Sequence, residues 1–171
     1  MRKFLFMILC LIITFTTTYA QTKGSLAINV ATKGTGVPGK NYAPRNIIVI
    51  WIEDESGNFV KTLLLNARER MTHLNNWESS TADYGSTYNA VDAVTSATNN
   101  SHGTRSCTWD GMDINGNLMP DGDYILVMEL TDLDATGRLS EFSFKKGPDS
   151  FELAPKDQTS FASISIKWNP N

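Results

Sequence analysis

The sequence predicts an all-β protein built as an antiparallel β-sandwich of about seven strands. Two observations support this prediction. Apolar and β-branched residues recur alternately or in short continuous runs of strand length, separated by polar segments. Turn-forming residues also follow one another closely in the second half of the chain, at Asp110-Gly111, Asn115-Gly116 and Pro120-Asp121-Gly122. Short strands joined by turn-rich connections are typical of two packed antiparallel sheets.

The first twenty residues have the features of a secretory signal peptide. Two basic residues precede the apolar run Phe4–Phe15, and the small residue Ala20 precedes the expected cleavage point. The run is shorter than the roughly 20 residues that a membrane-spanning helix needs, although an uncleaved anchor helix is the alternative. We therefore expect residues 1–20 to be removed and residues 21–171 to form a single exported domain, in the periplasm or beyond it.

Charge and cysteine content exclude several classes of protein. Removal of Arg2 and Lys3 with the signal peptide leaves 13 of the 15 basic residues against 18 acidic ones, so the net charge changes from −3 to −5. An acidic domain without clustered lysine and arginine lacks the surface that binds nucleic acid or an anionic membrane. The exported chain keeps only Cys107, so a hydrophobic core and not an internal disulfide has to stabilise it.

Three strands are expected in the first half of the domain. Leu26–Val30 alternates apolar with small or polar residues, as a half-buried strand does, and we place it at a sheet edge. Ile47–Ile52 is a continuous apolar run that predicts a central strand covered on both faces. Asp54–Asn58 supplies a polar turn, after which Phe59–Leu65 returns as the second strand of a hairpin.

A short helix and a long polar loop are expected next. Within Arg68–Glu78, the apolar residues Met71, Leu74 and Trp77 recur at intervals of three, which predicts a short helix packed over one end of the sandwich. Ser79–Asn100 is too polar for a core strand and too long for a hairpin connection. Long polar loops of this kind often hold functional residues.

The second half of the domain predicts four further strands, Arg105–Trp109, Tyr124–Leu130, Leu139–Phe144 and Phe161–Trp168. Tyr124 opens its apolar run directly after a Pro-Asp-Gly turn. That is the position of the tyrosine corner in immunoglobulin-like sandwiches, where the phenol hydroxyl bonds to backbone upstream. We therefore predict an immunoglobulin-like sandwich with Trp109 as a core anchor and Gly122 at a positive φ.

No group of residues in the sequence indicates enzymatic chemistry. His73 and His102 have no Cys or carboxylate at a metal-ligand spacing, and we interpret both as surface residues. Cys107 lies two residues before Trp109 on the same strand face, which favours a small core residue over a reactive thiol. Five acidic or amide residues fit no register of an EF-hand and are interpreted as turn formers: Asp110, Asp113, Asn115, Asp121 and Asp123. We predict a protein that is not an enzyme and has neither a catalytic residue nor a metal site.

The segment Trp109–Tyr124 resembles a known signature. It reads W-D-G-M-D-I-N-G-N-L-M-P-D-G-D-Y and is similar to the W-D-G-x-D-x-x-G-x-x-x-P-x-G-x-Y pattern of two groups of proteins. These are the immunoglobulin-like domain of flagellar hook-capping proteins and the DUF2271 family of predicted periplasmic proteins. The DUF2271 pattern also has D-A-V-[ST]-G-A-T before the W-D-G, and Asp92–Thr98 reads D-A-V-T-S-A-T, with Ser96 in place of Gly. The resemblance implies an exported immunoglobulin-like β-sandwich of the DUF2271 type.

Asp92–Thr98 also resembles the D-x-x-[ST]-G-A-T acceptor motif of bacterial extracytoplasmic proteins that carry FMN. The resemblance implies that a flavin transferase moves FMN from FAD onto the Thr98 hydroxyl through a phosphoester bond. Such a transfer needs a hydroxyl on a slim segment, and Ser96 and Ala97 add little bulk beside Thr98. Asp92 would either fix the start of the loop or accept a hydrogen bond from a turn amide. Ser96 would be strained if the acceptor turn needs a positive φ there.

Two functional expectations follow from these resemblances. In the first, the domain holds covalent FMN on Thr98 and relays one or two electrons outside the cytoplasm, supplied by a membrane redox partner. A protein without catalytic groups of its own can pass electrons when the cofactor brings the chemistry. In the second, the domain is a cofactor-free binding or assembly module of the hook-capping type, which uses sheet edges and loops to bind a partner.

Overall fold

A computed structural model describes residues 20–36, 42–84 and 88–171. The predicted signal peptide, apart from Ala20, therefore lies outside the described residues. The described chain contains one 3₁₀ turn, one short helix and nine strands. The strands are β1 (Gly24–Thr32), β2 (Ile47–Asp54), β3 (Phe59–Asn66), β4 (Val94–Ser96), β5 (Thr104–Trp109), β6 (Gly122–Thr131), β7 (Arg138–Lys146), β8 (Phe151–Leu153) and β9 (Phe161–Pro170).

The strands form two sheets that pack as a sandwich. The four-stranded sheet has the order β5-β1-β9-β8, and the five-stranded sheet has the order β4-β3-β2-β6-β7. Neighbouring strands are antiparallel, except that β4 runs parallel to β3. This arrangement confirms the predicted all-β sandwich. The predicted hairpin of β2 and β3 and the return of β7 against β6 are also confirmed.

The strand prediction is incomplete in one respect and wrong in another. All seven predicted strands are present, and the described residues add two more, β4 and β8, which at three residues each are too short for a sequence pattern to mark them. β1 is not an edge strand, since it pairs with β5 on one side and β9 on the other. The alternation of its residues indicates that one face of the sheet is exposed to solvent. It does not indicate whether the strand lies at the edge of the sheet.

Aromatic and aliphatic side chains fill the space between the sheets. Trp109 is fully buried there, and its ring centroid lies 5.2 Å from that of Tyr124, 6.0 Å from Phe144 and 6.4 Å from Trp168. Ring pairs at these separations stabilise a core by more than the burial of their apolar surface alone would. Cys107 belongs to the same cluster, and burial raises the pKa of its thiol to about 12. Both residues are core members, as predicted.

A second apolar layer covers the outer face of the five-stranded sheet. Val49 and Trp51 of β2 form one buried cluster there with Leu74 and Trp77 from the connection that follows β3. The neighbouring β2 residues Ile48, Ile50 and Ile52 belong to the core between the sheets. β2 is therefore covered on both faces, as its continuous apolar run predicted.

The predicted helix over Arg68–Glu78 differs from the observed one in extent and position. A 3₁₀ turn covers Met71–His73, and the helix α1 covers Asn75–Thr81. Leu74 between them has the non-helical angles φ −88° and ψ 60°. Apolar spacing of three residues fits the 3₁₀ turn better than a continuous α-helix. The unit packs on the outer sheet face, so its placement over one end of the sandwich is wrong.

A buried carboxylate from β6 holds the start of α1. Glu129 is fully buried, and its Oε2 accepts a 3.0 Å hydrogen bond from the Trp77 backbone N–H. Its Oε1 accepts a 2.7 Å bond from Nδ2 of Asn76. Burial raises the pKa of Glu129, although these hydrogen bonds oppose the rise. The side chain satisfies N–H groups of the first helical turn that the short helix leaves without internal partners.

The tyrosine corner at Tyr124 is confirmed. Its hydroxyl donates a 2.7 Å hydrogen bond to the carbonyl oxygen of Pro120. Asp121, next in the chain, receives hydrogen bonds from the backbone and hydroxyl of Thr22 and from the fully buried ammonium of Lys146. Burial alone raises the pKa of Asp121, but these bonds outweigh it, so the pKa lies below its ordinary value.

The glycines of this region divide into two kinds. Gly111 has φ +78° and Gly116 has φ +80°, which L-residues with side chains rarely adopt. Gly122 begins β6 with ordinary angles, and a Cβ added there would meet nothing within 4 Å. The prediction of a positive φ at Gly122 is therefore wrong. The Pro-Asp-Gly sequence starts a strand here, and the side chain of Asp121 ties the corner to the N-terminal segment.

Candidate functional site

The segment Asp92–Thr98, here called the acceptor segment, contains the edge strand of the five-stranded sheet. β4 lies within it and runs parallel to β3, with Val94 opposite Leu64 and Ser96 opposite Asn66. All three residues of β4 are exposed, and Val94 is 55% exposed. The segment is therefore accessible, but it is an edge strand and not only the polar loop that the sequence predicted.

The start of the acceptor segment is fixed by buried polar contacts. The carbonyl of Asn89 accepts a 2.6 Å hydrogen bond from the Thr62 hydroxyl, and this hydroxyl accepts one of 2.9 Å from the Trp77 indole. Three residues later, Asp92 has a left-handed backbone with φ +57°. Such an angle is tolerated better by Asp than by most side chains. The contacts hold the chain against the outer apolar layer before it turns into β4.

Asp92 faces a buried lysine that it shares with the W-D-G segment. Nζ of Lys61, a residue of β3 that is only 6% exposed, lies 3.9 Å from Oδ2 of Asp92 and 3.3 Å from Oδ2 of Asp110. The two carboxylates balance the charge of an ammonium that would otherwise be buried alone. Of the two roles considered for Asp92, this contact favours fixing the start of the segment.

Ser96 adopts an ordinary strand conformation. It pairs with Asn66 in the parallel ladder and is not among the described residues with positive φ. The strain expected for a serine in place of glycine is therefore absent. In this segment the left-handed position falls at Asp92 instead.

Thr98 lies at the far end of the segment with its hydroxyl held by backbone groups. Its Oγ1 accepts a 3.0 Å hydrogen bond from the N–H of Glu69 and donates a 3.4 Å bond to the carbonyl of the same residue. The next residue, Asn99, exchanges two 3.0 Å backbone hydrogen bonds with Asn46, which precedes β2. Thr98 is partly buried, so its oxygen is positioned without belonging to the core.

The three predicted site residues do not converge on one point. Asp92 contacts Lys61 near the beginning of β3, whereas Thr98 bonds to Glu69 beyond its end. Lys61 and the last residue of β3, Asn66, are already separated by roughly 17 Å along the extended strand, and Glu69 lies beyond Asn66. Ser96 lies between them on the exposed edge. The segment thus has one anchored end and one end that presents a hydroxyl.

A cavity of about 200 Å³ is lined in part by Thr98. Its lining combines two exposed arginines with polar and small residues: Arg45, Arg68, Glu69, Ala97, Thr98 and Asn100. The neighbouring Arg70 stacks over the ring of Tyr42 at 3.8 Å, and burial lowers its pKa. Arginine is therefore concentrated around Thr98, although the chain as a whole is acidic.

Comparison with known families identifies the family of this chain. A family model described as "Predicted periplasmic protein (DUF2271)" matches residues 37–157, most of the chain, including the acceptor segment and the Trp109–Tyr124 signature. The chain belongs to the DUF2271 family. The description agrees with the export that the leader predicts, and we place the protein in the periplasm. No curated protein and no solved structure shows a significant match.

Three residues of this DUF2271 protein that shape the site were missed by sequence reasoning. Lys61 is the single charged residue inside the predicted strand Phe59–Leu65, and no role was predicted for it from the sequence. A lysine in an apolar strand indicates a buried cation that needs carboxylate partners. Arg45 and Arg68 gave no usable signal, because their proximity to Thr98 depends on the pairing of β3 with β4 and of Asn46 with Asn99.

The remaining histidines and carboxylates that the structure describes lie outside the acceptor segment. The described residues include no group of three or more His, Cys, Asp or Glu side chains that could hold a metal ion. Nε2 of His73 lies 3.2 Å from Asp134, and Nε2 of His102 lies 3.6 Å from Asp132. The His102 side chain is only 19% exposed, so its interpretation as a surface residue is wrong.

Within the described ranges, no helix is long and apolar enough to cross a membrane.

A larger cavity of the DUF2271 domain lies far from Thr98. It is a groove of about 520 Å³ around the tyrosine corner, between Asp54 at the end of β2 and Lys145 of β7. Thr98 lies at the opposite end of β2, next to the Asn46 bridge. The groove contains carboxylates that already form turns or bind Lys146, so we assign the candidate site to the acceptor segment.

Proposed function

We propose that this periplasmic protein carries FMN covalently on Thr98 and serves as an electron carrier that is not itself an enzyme. The observation that supports the proposal is the position of the Thr98 hydroxyl. It stands at the end of an exposed edge strand, held by Glu69 and outside the core. A hydroxyl in this position can be reached by a modifying enzyme without unfolding of the sandwich.

The residues around Thr98 fit an attached flavin phosphate. Ala97 is small and exposed, so a transferase can approach the hydroxyl closely. Arg45 and Arg68 supply positive charge in the adjoining cavity. When attached, FMN would supply one- and two-electron redox chemistry that the side chains of this chain do not have.

Attachment requires a second protein and FAD. In the proposed step, the Thr98 oxygen attacks the phosphorus on the FMN side of the FAD pyrophosphate, a new P–O bond forms, and the pyrophosphate P–O bond breaks. AMP leaves with the bridging oxygen, and the hydroxyl proton passes to the flavin transferase. No oxidation or reduction takes place, so the chain needs no redox group for its own modification.

One of the two hydrogen bonds of Thr98 can persist after attachment. An ester oxygen can no longer donate, so the 3.4 Å bond to the Glu69 carbonyl is lost. The same oxygen can still accept the 3.0 Å bond from the Glu69 N–H. The backbone of Glu69 would therefore position the oxygen before the transfer and anchor the product afterwards.

The test is co-expression with a flavin transferase, followed by intact mass and in-gel fluorescence. Wild type is expected to gain the mass of one FMN phosphoester and to fluoresce in a denaturing gel. Thr98→Val keeps the shape of the side chain but lacks the hydroxyl, and is expected to fold and remain unlabelled. Thr95→Val makes the same change on β4 and is expected to label normally. An unlabelled wild type, under conditions that label a known acceptor, would remove the carrier function.

A second candidate function is supported by the apolar residues on the same edge. Val91 is 49% exposed and Val94, in β4, is 55% exposed, and no described strand pairs with the outer side of β4. An open strand edge with apolar side chains can add a strand from a partner protein. A cofactor-free binding module would use this edge, and labelling failure together with loss of partner binding in Val94→Asp would favour it.

A further inference from the structure

Arg45, Arg68 and Thr98 line one small cavity. Arg45 lies just before β2 and Arg68 just after β3. Because β2 and β3 pair in antiparallel orientation, both residues lie at the same end of the pair and line the cavity. Both arginines are exposed, and neither forms an ion pair with another described residue. Glu69 also lines the cavity, so the two guanidinium groups leave one positive charge in excess.

We propose that Arg45 and Arg68 form an anion site for a phosphate group joined to Thr98. The identity of this ligand rests on the proposed function, whereas the ability to bind a phosphate does not. A guanidinium matches two phosphate oxygens at once and stays charged at any physiological pH. A phosphodiester on Thr98 has one negative charge, which equals the excess positive charge of the cavity.

The size of the cavity limits which part of the ligand it holds. Its volume of about 200 Å³ is below the range of roughly 300–1,000 Å³ that is usual for complete small-molecule sites. The phosphate is therefore placed inside, and the isoalloxazine ring is left outside, over the surface of the sheet edge. Such an arrangement fixes one end of the flavin and leaves its redox-active part open to a partner protein.

The first test uses labelled protein. Arg45→Gln/Arg68→Gln is compared with wild type by ³¹P NMR of the phosphodiester and by fluorescence anisotropy of the flavin. The double variant is expected to shift the ³¹P resonance and lower the anisotropy, because the phosphate is released. Arg138→Gln removes an exposed arginine from β7, at the opposite edge of the same sheet, and is expected to match wild type. Identical spectra for all three proteins would overturn the anion site and leave the carrier function intact.

The second test needs no attached flavin. Unlabelled Thr98→Val is titrated with inorganic pyrophosphate, and the amide resonances of Glu69 and Asn100 are followed. Binding is expected to weaken roughly three- to twentyfold in the Arg45→Gln/Arg68→Gln background and to weaken with added salt. Pyrophosphate binding by an unlabelled wild type would support the anion site even if the carrier function fails. If the amide resonances shift in neither wild type nor Thr98→Val, the anion site is overturned.

Discussion

Nζ of Lys61 lies 3.9 Å from Oδ2 of Asp92, so a buried side chain of β3 meets the first residue of the acceptor segment. The same ammonium lies 3.3 Å from Asp110, in the W-D-G turn that ends β5. Two sequence motifs that looked independent are therefore joined through one cation. Lys61 sets the position of the acceptor segment relative to the sandwich core.

Lys61→Met tests this connection. Methionine keeps most of the buried volume, but Asp92 and Asp110 lose the ammonium that they share, so β4 is expected to open more often. Amide hydrogen exchange at Val94–Ser96 should become faster. The free energy of unfolding should fall by about 1 kcal/mol or less, because both carboxylates are largely exposed. Lys167→Met removes an exposed ion pair in β9 and serves as the control. Unchanged exchange in β4 would show that Lys61 does not hold the segment.

Trp109→Ala is expected to lower the free energy of unfolding by roughly 3–5 kcal/mol, because it empties a fully buried site among three aromatic rings. It also removes the 2.8 Å hydrogen bond from the indole to the Met112 carbonyl. Urea denaturation measures the loss. Leu139→Ala, at a residue that is 40% exposed, should cost far less. A loss below about 1 kcal/mol for Trp109→Ala would contradict its role as a core anchor.

Gly111→Ala and Gly122→Ala should differ although both replace glycines of the same signature. Gly111 has φ +78°, and a Cβ there would lie 3.1 Å from Cε of Lys146, so the variant is expected to lose roughly 1–2 kcal/mol. Gly122→Ala meets no neighbour and has ordinary angles, so its effect should stay within about 0.5 kcal/mol. Thermal unfolding of both variants measures the two losses of stability. Equal losses in Gly111→Ala and Gly122→Ala would contradict the assigned backbone angles.

Glu129→Gln probes the carboxylate that caps α1 from β6. An amide offers one acceptor oxygen where the carboxylate offers two, so an N–H of Asn76 or Trp77 would be left buried without a partner. The expected cost is about 1–3 kcal/mol in the free energy of unfolding. Glu141→Gln changes an exposed residue of β7 in the same way and should be nearly neutral. If both variants unfold at the same urea concentration, the cap does not contribute.

Asp121 gives a pH-dependent prediction. Its pKa is lower in the folded protein than its ordinary value, so its contribution is present above the unfolded pKa and is lost as the pH falls through the folded pKa. Asp121→Ala leaves the buried Lys146 without its carboxylate and should lose roughly 3–5 kcal/mol near neutral pH. The difference from wild type should shrink towards about pH 2. Asp149→Ala, at an exposed residue, is the control. A difference that is constant with pH would contradict the assignment.

Local pattern was sufficient for the long elements of this fold. The run Ile47–Ile52 identified a strand covered on both faces, and the hydroxyl bond of Tyr124 was predictable from its place after a Pro-Asp-Gly turn. Each of these signals depends on residues that are close together in the sequence. The acceptor segment was also located from sequence, through its resemblance to a family motif.

The missed features depend on contacts between distant residues. β4 is three residues long and gains its backbone partners from β3, so no alternation marks it. The cavity beside Thr98 forms because the antiparallel pairing of β2 with β3 places Arg45 near Arg68, and the Asn46–Asn99 bridge brings Thr98 to the same place. Apolar spacing located the helix near Trp77 but could not reveal which sheet face would receive it. Register and packing across the sandwich decide such features, and a single sequence does not encode them locally.

The burial of Cys107 has a chemical consequence for a protein in an oxidising compartment. Disulfide exchange requires a thiolate, and burial raises the pKa of the Cys107 thiol to about 12, so the thiolate is scarce near neutral pH. The side chain is also only 6% exposed, so an oxidant in solution has little access to the sulfur. We expect the exported chain to keep a free thiol, to form no mixed disulfides and to remain folded without assistance from the disulfide-forming enzymes around it.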